Sequence, residues 1–158
     1  MLIDTQIITT EKPYTLSLDL KASDLQEYLD NTEGIINEKG VHVQGKIIKE
    51  DKDRFVLRFR LTADMIYPCS RCLESTSYTC LYDYEEIVKV DEENPVIDII
   101  EYIVDVLYIN EPMKVLCDED CKGLCMHCGI NLNEESCQCD KQNAIDPRFE
   151  KLKDLLNN

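Results

Sequence analysis

Tyr14 to Leu20 alternates polar and apolar positions, the period of a strand with one buried face, and Ser23 or Asp24 offers an N-cap for a short helix reaching Tyr28. From Gly40 two strongly alternating stretches, VHVQGKIIK and RFVLRFRLTA, flank the charged turn Glu50-Asp51-Lys52-Asp53, which predicts a hairpin. In its second arm Phe55, Leu57, Phe59 and Leu61 share one face, while Arg54, Arg58 and Arg60 share the other. Another β stretch, Ser77 to Val90, puts Tyr78, Cys80, Tyr82 and Tyr84 on one side. Asp91 to Pro95 breaks it. Beyond the break, Ile99, Ile100, Ile103, Val104 and Leu107 recur at helical spacing, predicting an amphipathic helix that packs on the sheet and ends before Pro112. At the far end Asp146-Pro147 reads as an N-cap followed by proline at the first helical position, with Phe149, Leu152, Leu155 and Leu156 as an apolar stripe.

These elements predict an α+β fold: an antiparallel sheet that could close into a barrel, one or two packed helices, then a cysteine-rich knuckle and a short terminal helix. A core domain over residues 1 to 112 and a smaller module over 113 to 158 are the expected division. A chain of 158 residues suits one ordinary domain plus an appendage, and so small an appendage usually needs metal or disulfides to fold.

Composition narrows the context. With 44% hydrophobic and 31% charged residues the chain reads as globular, and its longest apolar runs are too short to cross a bilayer. The opening MLIDTQIITTEKPY has neither a basic n-region nor an apolar h-region. The nine cysteines are therefore expected in the reducing cytoplasm, as thiols rather than disulfides. A net charge of -15 argues against coating nucleic acid with the whole surface. The charge is uneven, however: residues 39 to 71 carry eight Lys or Arg against four acids, whereas residues 74 to 111 carry eleven acids and only Lys89. Lys46, Arg54, Arg58, Arg60 and Arg71 are thus candidates for a local phosphate-facing patch, with an ordinary solvated strand face as the plain alternative.

Six cysteines fall within residues 117 to 139. Zinc favours four thiolates in a tetrahedron, and Cys125-Met126-His127-Cys128-Gly129 has the spacing that lets two sulfurs of one tight turn reach one ion. Gly129 can adopt positive φ and turn amides towards the sulfurs. Cys137 and Cys139 return after a short loop, so Cys125, Cys128, Cys137 and Cys139 are the expected first site. Ferredoxin spacing is not matched, which sets an iron-sulfur cluster behind zinc. His127 is expected at the knuckle tip, His42 as an ordinary strand residue and Cys80 in the core. Cys69 and Cys72 form a second CxxC pair. That spacing also suits thiol redox chemistry, although no βαβ frame places Cys69 at a helix N-terminus. Pairing them with the remaining Cys117 and Cys121 gives a possible second all-thiolate site joining the sheet to the C-terminal module. A turn with reduced thiols is the alternative.

Taken together, Cys69-Ser70-Arg71-Cys72-Leu73, the acidic helix ending at Glu111-Pro112, the run Leu116-Cys117-Asp118-Glu119-Asp120-Cys121-Lys122-Gly123-Leu124-Cys125 with Cys128-Gly129 and Asn131-Leu132-Asn133, and the ending Asp146-Pro147-Arg148-Phe149 resemble the YceD family of bacterial and plastid proteins. The resemblance implies a role in large-subunit ribosomal RNA accumulation or ribosome assembly, without catalysis. Its expected partners are large-subunit rRNA or a pre-ribosomal particle and, from the acidic surface, a basic ribosomal protein. Inventory points the same way. The chain has no P-loop, no Rossmann fingerprint and no serine nucleophile motif, so no small-molecule substrate or membrane is expected. The rival reading is a zinc-dependent protein adaptor or thiol redox sensor unrelated to ribosomes.

Overall fold

The computed structural model describes residues 1–139 except 26, 30, 31 and 92. The chain divides into two compact units, Met1–Cys121 and Lys122–Asn158.

Four strands make the main sheet of the first unit: β2 (Tyr14–Leu20), β3 (Ile35–Lys49), β4 (Arg54–Pro68) and β5 (Ser75–Lys89), antiparallel in the order β2-β3-β4-β5. The hairpin expected from Gly40 is present, but its arms are longer than the alternation suggested. β3 begins at Ile35, and a register shift between Ile36 and Val41 hides the continuity of its pattern. Gly40 sits in that irregularity at φ 78°, where a Cβ would lie 2.2 Å from the Leu20 carbonyl oxygen. Only glycine fits there. A further short pair, β1 (Leu2–Asp4) with β6 (Val96–Asp98), is too brief to leave a period in the sequence. The sheet does not close into a barrel: among the described residues β2 and β5 remain its edges.

Alternation decides which side becomes core. Val43, Ile47, Leu57, Phe59, Leu61 and Met65 all point inward and are buried, and Cys80 joins them. Helix α2 (Ile99–Ile109) is capped by Asp98, whose side chain accepts from the Ile100 amide, and it buries Ile99, Ile103, Val106 and Leu107 in the same core. Tyr84 and Tyr102 meet at 6.3 Å between ring centroids, and the Tyr82 hydroxyl donates to the Asn110 carbonyl at the end of the helix. The helix expected to run to Tyr28 is only one turn, α1 (Ala22–Leu25), with Leu25 as its single buried anchor. The terminal helix expected from Asp146 lies outside the described residues.

Candidate metal centres

Eight of the nine cysteines collect into two groups of four. Cys69, Cys72, Cys117 and Cys121 form one in the first unit; Cys125, Cys128, Cys137 and Cys139 form the other in the second. In each group the sulfurs all lie within 4.8 Å of one another. Cys69 and Cys121 are 3.8 Å apart and Cys72 and Cys117 are 3.5 Å apart; Cys137 lies 3.2 Å from Cys125 and 3.5 Å from Cys128. A disulfide needs about 2.05 Å, whereas Zn–S bonds near 2.3 Å set the corners of a tetrahedron about 3.8 Å apart. The spacing therefore fits four thiolates around one ion. The ninth cysteine, Cys80, is buried in the sheet.

Both groups are built on the same turn. In the first, the Cys69 amide donates to the Glu74 carbonyl at 2.8 Å and the Leu73 amide to the Cys69 carbonyl at 2.9 Å. In the second, the Cys125 amide donates to Ile130 at 2.8 Å and the Gly129 amide to Cys125 at 2.9 Å. The third amide of each turn, at Arg71 and His127, reaches back to the first sulfur at 3.5 and 3.4 Å. Both turns end in left-handed backbone, Leu73 at φ 65° and Gly129 at φ 74°. Gly129 advertises this conformation in the sequence, and Leu73 conceals it. For that reason the Cys69 turn reads as ambiguous although its hydrogen bonds repeat those of the Cys125 turn.

The remaining two sulfurs arrive by different routes. In the first unit, residues following α2 bring Cys117 and Cys121 back to the end of β4. The Ser70 amide donates to the Val115 carbonyl at 2.8 Å, and the Val115 amide donates to the Ser70 hydroxyl. Arg71 completes the clamp by donating to the carbonyls of Glu119 and Cys121 at 3.1 and 2.7 Å. In the second unit, a bridge between Leu124 and Asn131 and a bond from the Lys122 amide to the Asn133 side chain hold the loop that returns Cys137. The Cys139 amide then reaches the Cys137 sulfur at 3.1 Å.

Thiol acidity follows this geometry. Burial raises the Cys69 thiol, but amides of Arg71, Cys117 and Cys72 more than offset it and bring it down to about 6. The amides of Cys128 and His127 bring Cys125 down to about 6. Cys117 and Cys139 are pushed up to about 12 by the neighbouring sulfurs, Cys72 then Cys121 in one case and Cys137 then Cys128 in the other. Each group thus favours one thiolate and resists the next negative charge, a conflict that a bound cation removes.

The basic candidates take other places. Arg58 and Arg60 stand on the outer face of β4, each gripping a carboxylate of β5 with two nitrogens: Glu85 at 2.6 and 2.7 Å, Asp83 at 2.7 and 2.9 Å. Lys46 is the cross-strand neighbour of Arg58, Arg54 faces Glu50 and Asp51 of the turn, and Arg71 belongs to the first cysteine group. The acidic partners of the arginines lie one strand away, beyond the reach of sequence spacing. Among the described residues no helix is long and apolar enough to cross a membrane.

A family model described as large ribosomal RNA subunit accumulation protein YceD matches residues 83–156. A chloroplastic YCED homologue of that name from Arabidopsis thaliana is 35% identical over 60 residues, 38% of this chain and 19% of that protein. The corresponding Zea mays protein is 34% identical over 63 residues, 39% of this chain and 22% of that protein. A Mycobacterium tuberculosis protein named only as uncharacterized is 29% identical over 154 residues, 98% of this chain and 68% of that protein. The match thus spans a small part of the plant relatives' length and about two thirds of the mycobacterial one. No solved structure matches. Over residues 83–156 the chain matches the YceD family, the large ribosomal RNA subunit accumulation proteins.

Proposed function

We propose that this protein is a non-enzymatic cytoplasmic factor that supports accumulation of large-subunit ribosomal RNA, with structural zinc at both four-cysteine groups. The family match over residues 83–156 carries the first part, since that is the role its description names. The donor sets carry the second. Four sulfurs at tetrahedral spacing favour zinc, and a shell filled by four thiolates has no open position for a water or substrate, which is why it serves structure rather than catalysis. Thiols held in such shells also suit a reducing compartment.

Large-subunit rRNA or a pre-ribosomal particle is the proposed partner. Its meeting place is the outer face of the sheet, where Lys46, Arg54, Arg58 and Arg60 are aligned; Arg58 and Arg60 would exchange Glu85 and Asp83 for phosphate oxygens, a trade between two bidentate acceptors of like geometry. Depleting the protein and profiling ribosomal subunits and rRNA tests the role: a selective deficit of large subunits is expected, restored by the wild-type chain. A normal large-subunit level rejects it. Substituting Arg54, Arg58 and Arg60 together and measuring association with large-subunit precursors tests the surface, and unchanged association rules that face out.

A further inference from the structure

The rim of the main sheet carries a feature that the metal centres do not explain. β5 pairs with β4 in unbroken register from Ser75↔Pro68 to Lys89↔Arg54, and among the described residues no strand pairs with its other side. Its inward positions show how open that side is. Cys80 and Val88 are buried there, but Tyr78 is 37% exposed, Glu86 is exposed, and Tyr82 and Tyr84 are only half-buried, whereas Leu57, Phe59, Leu61 and Met65 at inward positions of β4 are all buried.

A fifteen-residue edge is a template for a further strand, and proteins normally blunt such edges with proline, bulges or lysines. β5 has no proline and no bulge, and its only lysine is Lys89 at the end. Its charge is acidic instead. Asp83 and Glu85 already hold Arg60 and Arg58, but Glu86, and Glu101 and Asp105 on the exposed side of α2, hold no cation among the described residues. The three act on common neighbours: burial first and then the charges of Glu86, Glu101 and Asp105 push the Tyr102 hydroxyl upward, and Tyr84 donates to Glu86. On the outer side Leu81 and Ile87 are 61% and 54% exposed, two residues before Asp83 and two after Glu85, as apolar flanks of the same edge.

We propose that the free edge of β5 accepts an extended, Lys/Arg-rich segment of a partner protein as a fifth strand. The backbone ladder supplies affinity for any extended chain, and the charges choose among chains. A second copy of this acidic edge would meet its own sign, while a basic segment finds Glu86, Glu101 and Asp105 on the inner side and can place apolar residues against Leu81 and Ile87 on the outer. The inference does not depend on the ribosomal role, since the edge would act alike in an adaptor of any other pathway.

The test uses the isotopically labelled, zinc-loaded full chain and two synthetic probes of about ten residues, enough to span most of the edge. One alternates lysine and valine; the other has the same sequence N-methylated at every residue, keeping the charge but removing the N–H donors. The first probe is expected to bind saturably, to slow amide exchange along β5, and to weaken as salt rises. The methylated probe should bind about tenfold more weakly or worse, and Glu86→Lys should weaken the unmodified probe while the exposed control Glu38→Lys does not. Equal binding of both probes, protection confined to other strands, no saturable binding, or a poly-uridine RNA that binds β5 in place of the peptide would each overturn the proposal.

Discussion

The two cysteine groups share a turn and a ligand set, yet they sit in opposite surroundings. In the first, Cys69, Cys72 and Cys121 are buried while Cys117 is exposed, and the paired sulfurs are 45 and 52 residues apart in the chain. In the second, Cys128 is exposed, the other three are half-buried, and the paired sulfurs are 9 and 12 residues apart. A metal in the first would fasten a returning segment to the end of a strand that already has a large core beneath it. Among the described residues 122–139, a metal in the second would be most of the core, because the loops around it bury little apolar surface. One turn thus serves as a rivet in one place and as a nucleus in the other. Four-cysteine geometry alone does not say which.

The largest expected effect is metal content itself. Metal analysis should give two zinc ions per chain, falling to one with Cys69→Ser and Cys72→Ser together and to one with Cys125→Ser and Cys128→Ser together. One ion in the wild type would mean that only one of the two groups holds metal. Next, a strong chelator should remove the two ions in two phases, the exposed second site emptying about tenfold faster or more, because thiolate exchange depends on access. After the fast phase, amide exchange should rise across residues 122 to 139 while β3 to β5 stay protected. A single phase, or loss of protection in the sheet first, would reverse the roles assigned here.

In the chelated chain, the cysteines of the second group should be alkylated by iodoacetamide first, as shown by peptide mass mapping, because the residues around them open to solvent. Cys69 stays buried beside the sheet and should react later. Smaller still is the backbone contrast. Gly129→Ala meets no atom within 4 Å and should cost about 1 kcal/mol through its left-handed φ alone, whereas Leu73→Gly removes the same strain and should be neutral or slightly stabilising. Chemical denaturation of the metal-loaded chain, followed separately in each unit, checks both.

Alternation and helical period were sufficient for β2, the hairpin, β5 and α2, because half-buried elements must repeat every two or about 3.6 residues. Elements that interrupt or are shorter than that repeat leave no such mark. The shift at Gly40 concealed the first turns of β3, and three-residue strands such as β1 and β6 carry no period at all. Whether a sheet closes depends on which strands meet at its edges, and nothing in a local pattern specifies that; here β2 and β5 stay apart.

The cysteine groups divide along the same line. Spacing within one short segment determined that Cys125, Cys128, Cys137 and Cys139 could converge, since a tight turn and a short loop leave them few other places to go. Convergence of Cys69 and Cys72 with Cys117 and Cys121 required the end of β4 to meet the segment after α2, which only the packing of helix on sheet brings about. Tertiary structure also decided that Arg58 and Arg60 face Glu85 and Asp83, because cross-strand register, not sequence distance, sets which charges are neighbours.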